Sequence, residues 1–102
     1  MIYKFFDTAS FQKRIKGNYI PVISSITAEQ LKENNIEIYD FNSNMLKPFA
    51  ELNLITDDIK ILACAFDYDC CMHPDETIFV TTNSALAELA NKYFGEDSIE
   101  LV

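Results

Sequence analysis

Glycine occurs only twice and proline three times in 102 residues, which excludes collagen-like and low-complexity architectures. No apolar run approaches the roughly 18–20 residues that a membrane span needs. Cysteine is sparse too. Cys64, Cys70 and Cys71 fall within eight residues, an odd, clustered set unlike a dispersed disulfide framework. Adjacent Cys70 and Cys71 with His73 match no usual zinc spacing, so buried thiols and a loop histidine are expected. Basic residues are few: eight against sixteen acids, a net charge of −8. Such a chain repels nucleic acid at long range. An RNA-binding role then requires a local basic patch, bound cations or a basic partner.

What is present is the composition of one packed domain spanning residues 1–102, with 49% hydrophobic, 13% aromatic and 24% charged residues. In the first sixteen residues the charges follow the short apolar stretch, the reverse of a secretory signal, so a cytoplasmic location is expected. Charge is uneven along the chain. Residues 1–50 carry six bases and five acids, whereas residues 51–102 carry two bases and eleven acids. Lys13, Arg14 and Lys16 form the single basic cluster, which as a plain structural feature is a solvated helix end.

Strands and helices alternate. Ile2 to Phe6 reads as a strand ending at Asp7, and Thr8 to Ile15 as a helix broken by Gly17-Asn18. Tyr19 to Ser24 is a second strand, with Pro21 unable to donate a ladder bond. Thr27 and Gln30 form a capping box that opens a second helix, which Asn34-Asn35 stops. A third strand starts at Ile36 and ends at Tyr39 or Phe41. Met45, Leu46, Phe49 and Ala50 have helical spacing around an awkward Pro48. Thr56 caps a longer helix whose stripe of Ile55, Ile59, Leu62, Ala63 and Phe66 is widened by Ile61 and Ala65, so it is buried on more than one side. Thr77 to Thr81 is a strand, Ser84 to Phe94 a helix closed by Gly95, and Ser98 to Val102 a last strand.

This alternation predicts a three-layer α/β/α domain with a mostly parallel five-stranded sheet. Ligands of such sheets bind beyond the carboxyl ends of the strands. Asp7-Thr8, Ser24-Ser25, Asp40 and Thr81-Thr82-Asn83 stand there, with Asp57-Asp58 in the first turn of the long helix. Carboxylates gathered in one crevice repel one another unless a cation lies between them, and hard cations such as Mg²⁺ take oxygen ligands. Each residue alone also has a plain structural role. Asp57 and Asp58 suit a helix N-terminus, and Asn83 suits a cap.

Four segments, in order, resemble a PIN domain, the fold of many metal-dependent ribonucleases and of toxin components in toxin–antitoxin pairs. They are Phe5 to Ser10, Ile23 to Leu31, Asp57 to Ala65 and Ile78 to Leu86, which together span nearly the whole chain. The resemblance implies strand order 3-2-1-4-5, with the crevice between the first and fourth strands. It implies a catalytic set at Asp7, Gln30, Asp58 and Asn83, and Mg²⁺ or Mn²⁺ held by Asp7 and Asp58 with Asp57 beside them. Thr8, Thr81, Lys13 and Arg14 become the substrate contacts. RNA is the implied substrate, and an antitoxin-type protein or a second copy of the chain the implied partner. Two of the four family carboxylates are amides here, Gln30 and Asn83. An amide keeps an oxygen ligand but loses a charge. One cation fits this set better than two. Glu29 lies about 100° around the helix from Gln30 and does not replace it. The helical excursion that the family places after its second helix is reduced to Asn34-Asn35, so its usual groove cover and dimer surface are missing.

Two functions follow as expectations: a ribonuclease hydrolysing RNA phosphodiesters with Mg²⁺ or Mn²⁺, or a catalytically degenerate module that binds a protein or RNA without cutting. A response-regulator receiver would need an acidic pair after the first strand and a Lys after the last, and neither is present.

Overall fold

The apolar run Ile2–Phe6 is β1, the central strand of the sheet in a computed structural model that describes residues 1–72 and 75–102. Around it stand β2 (Ile20–Ser24), β3 (Glu37–Tyr39), β4 (Glu76–Thr81) and β5 (Ile99–Leu101), in the order β3-β2-β1-β4-β5. Every neighbouring pair is parallel, so the sheet is wholly rather than mostly parallel. The helices are α1 (Thr8–Gln12), α2 (Ser25–Leu31), α3 (Asp57–Met72) and α4 (Ser84–Phe94), with 3₁₀ segments at Ser43–Phe49 and Glu96–Ser98.

Successive side chains of each strand point to opposite faces, and both faces are covered, which is why the strands read as continuous apolar runs. Phe5, Val22 and Phe79 pack on one face with Ile61, Leu62 and Tyr68 of α3 and with Leu86 and Ala90 of α4. Phe6, Ile23 and Val80 face the other way, against Phe11 of α1 and Leu31 of α2. Phe5, Phe49 and Phe79 are wholly buried, each contributing roughly 2–3 kcal/mol. Five consecutive residues of α3, Ile61 to Ala65, are also fully buried, as a helix wedged on more than one side requires.

Local chemistry accounts for the departures from expectation. α1 ends at Gln12 rather than Ile15: the Lys13 N–H closes back on the Ser10 carbonyl at 3.1 Å. Beyond it three like charges crowd one turn, and Ile15, 82% exposed, finds no apolar surface to reward a further turn. The cap of α2 is Ser24, whose Oγ accepts from the Thr27 N–H at 3.3 Å, and Thr27 is buried inside the helix instead. α2 stops at Lys32, which adopts φ 54°, before the asparagines. Pro21 pairs with Lys4 of β1 on one side only, because β3 begins to pair with β2 at Val22. Pro48 sits inside the 3₁₀ segment rather than an α-helix. Gly95 closes α4 at φ 87°, a backbone region that favours glycine.

The expectation of buried thiols holds for Cys64 alone. Its Sγ donates to the Tyr39 carbonyl at 3.3 Å, and burial pushes the thiol up to about 12. Cys70 and Cys71 are exposed because they follow Tyr68, the last buried residue of α3. His73 lies outside the described residues. No helix among the described residues is long and apolar enough to cross a membrane.

Candidate functional site

The site is assembled where β1 and β4 end side by side. Asp7, directly after β1, is 3% exposed. A carboxylate so buried needs partners for both oxygens. Oδ1 accepts from the Ser10 N–H at 2.8 Å and so caps α1, while Oδ2 accepts from the Thr81 hydroxyl at 2.5 Å. Ser10 Oγ donates to the Val80 carbonyl at 2.8 Å, and the Asp7 N–H donates to the same carbonyl at 3.1 Å. Thr81 Oγ1 accepts in turn from the Asn83 N–H at 3.0 Å. These bonds lock the carboxyl ends of the two strands together.

A second chain of bonds crosses from α1 to the start of α3. The hydroxyls of Thr8 and Thr27 lie 3.0 Å apart, and Thr8 donates to Gln30 Oε1 at 2.9 Å. Gln30 Nε2 donates to Asp57 Oδ2 at 3.3 Å. The amide orientation follows from its partner: an ionised Asp57 only accepts, so the nitrogen must face it. Gln30 is therefore a strut across the crevice, held by a hydroxyl at one end and a carboxylate at the other. Beside it lies a hollow of about 490 Å³ lined by Ile26, Glu29, Gln30, Phe41, Asp57 and Lys60.

Asp58 completes the acidic edge. Partial burial, then Asp7, then Asp57 raise its carboxyl above the ordinary range. The influence of Asp7 means that the two carboxylates sense one another across the crevice. Asp58 keeps an exposed surface, so water screens the repulsion and its direction carries the meaning.

The structure thus brings together Asp7, Thr8, Gln30, Asp57, Asp58 and Thr81. Asn83 is adjacent, and its oxygen is engaged: Oδ1 accepts from the Ala85 and Leu86 N–H groups at 3.0 and 3.2 Å and caps α4. Lys13 and Arg14 line a different groove, over Phe6 and Val80, and the Arg14 guanidinium stacks 3.7 Å from the Phe11 ring centroid. Among the described residues, no three His, Cys, Asp or Glu side chains are grouped as a metal-ligand set. Asp7 and Asp58 carry oxygen donors of the kind a hard cation takes, and both Asp7 oxygens already accept hydrogen bonds. Ser10 and Thr27 also belong to the site, through Asp7 and Thr8. For Ser10 the sequence signal is spacing: it stands three residues after Asp7, where a capped N–H belongs.

In comparisons with family models, curated proteins and solved structures, nothing matches this chain.

Proposed function

We propose that the chain is a PIN-like module that acts by binding and does not hydrolyse RNA. The observation that carries this reading is the Gln30 strut, which accepts from Thr8 and donates to Asp57. A glutamate there could not donate to Asp57. It would add charge to a crevice where Asp58 is already pushed toward its neutral form. Asn83 and Asp7 spend their oxygens on helix caps and on Thr81, so three of the four matched positions serve the fold. The test is incubation of the protein with Mg²⁺ or Mn²⁺ and with structured and single-stranded RNA. Cleavage no greater than that of Asp7→Asn supports the reading. Metal-dependent cleavage that Asp7→Asn abolishes contradicts it.

A second reading is a one-cation ribonuclease, and the coupling of Asp58 to Asp7 favours it. Asp7 and Asp58 would hold Mg²⁺ or Mn²⁺, and the ion would supply orientation of the phosphodiester and activation of water. A toxin-type role belongs to this reading. For either, three free thiols support a reducing compartment such as the cytosol.

A further inference from the structure

On the Phe79 side of the sheet, α3 and α4 cover β4 and β5. On the Val80 side, among the described residues, the five-residue α1 is the helix that reaches β4. Beyond it a groove of about 420 Å³ opens between the loop of residues 13–19 and β5. Its floor holds Ile2, Phe6, Val80 and Val102, with the Lys4–Glu100 ion pair among them and Tyr19 as a wall. Its rim carries Lys13, Arg14 and Lys16 around Ile15, which is 82% exposed.

We propose that this groove docks a segment of a partner protein that presents an apolar side chain flanked by carboxylates. Charge complementarity selects the flanks. Lys4 is spent on Glu100 at 2.9 Å and Arg14 on the Phe11 ring and carbonyl, whereas Lys13 and Lys16 form no ion pair among the described residues. The floor selects the anchor, because covering Val102 and Ile15 removes apolar surface from water. A nucleic-acid strand fits less well. Phe6 is 3% exposed, which leaves Tyr19 as the one aromatic ring of the lining on which a base could stack. The assignment deepens the binding reading by naming a partner class, and it uses a surface separate from the crevice.

The test is fluorescence anisotropy with the full chain and a short labelled peptide bearing one Leu and one Phe among Glu residues. A Ser-substituted peptide and single-stranded RNA serve as controls. The expected result is saturable binding of the first peptide. Lys13→Glu combined with Lys16→Glu weakens it about tenfold or more, and Ile15→Ser weakens it severalfold, both with unchanged melting temperature. Binding that ignores these substitutions overturns the proposal, as does equal binding of the Ser peptide, preference for RNA, or no binding. A dimer in size-exclusion chromatography that the charge reversal dissolves also overturns it, and assigns the surface to a second copy. RNA cleavage measured on the same samples answers the crevice question separately. Peptide failure without cleavage defeats the docking assignment alone, and cleavage alongside peptide binding defeats only the non-hydrolytic reading.

Discussion

The crevice at the ends of β1 and β4 and the groove over Phe6 and Val80 flank the same two strands, yet they are built on opposite principles. In the crevice nearly every polar side chain is satisfied by another: Asp7 by Ser10 and Thr81, Gln30 by Thr8 and Asp57, Asn83 by the first turn of α4. In the groove the floor is mostly apolar and two cations stand unpaired among the described residues. Asp7 is buried and must be partnered, whereas Gln30 and Asp57 are exposed and bond to one another at the crevice mouth; oxygens so engaged leave less capacity for a ligand. A mostly apolar floor with free charge at its edge keeps that capacity.

The contrast breaks hardest at Asp7. Asp7→Ala removes the α1 cap and leaves the Thr81 hydroxyl without its acceptor, so urea denaturation should show a loss of about 3 kcal/mol. Asp7→Asn keeps the shape and should cost roughly 1 kcal/mol. Lys13→Glu with Lys16→Glu in the groove should stay within about 0.5 kcal/mol. Equal costs at the two places would erase the distinction.

Gln30→Glu sharpens it next. The variant exchanges a donated bond to Asp57 for carboxylate repulsion, with an expected cost of about 1 kcal/mol in chelator. Millimolar Mg²⁺ should return that stability, because a cation that binds only the folded chain stabilises it by mass action. Thermal melts with and without Mg²⁺ read both effects.

The smallest effect is at Asp58. Its carboxyl is raised in the fold, so the folded chain holds that proton more tightly than the unfolded chain does. The contribution is fully present below the ordinary carboxylate range and is lost as pH rises through the raised value. Asp58→Asn should therefore flatten the acid side of the stability profile. It should also stabilise the protein at neutral pH by no more than about 0.5 kcal/mol, given solvent screening. A variant that is less stable at neutral pH would mean that Asp58 makes a favourable contact instead.

The scaffold was legible in the residues for physical reasons. Strands buried on both faces must be apolar throughout, so β1 and β4 stood out, and with them Asp7 and Thr81 at their ends. Gly95 marked the end of α4 because few other residues adopt its backbone angle. What escaped was decided by competition between partners. Ser24 and Thr27 are equally good caps in isolation, and burial of Thr27 against Thr8 settles which one serves. Asn83 looked like both a cap and a crevice ligand, and two backbone N–H groups claim its oxygen. Lys13 and Arg14 follow Asp7 closely along the chain, but α1 ends a turn early and the loop runs along the sheet face, away from the crevice. The exposure of Cys70 and Cys71 depends on how far α3 outruns the core, which local pattern does not encode.

Gln30 is a neutral strut in an acidic crevice. The direct measurement is calorimetric titration with Mn²⁺ of the wild type, Gln30→Glu, Asn83→Asp and the double variant. Gln30→Glu should bind the ion about tenfold or more tightly than wild type, and Asn83→Asp, still capping α4, should add little. Equal affinity in wild type and Gln30→Glu, or a gain carried by Asn83→Asp alone, would contradict it.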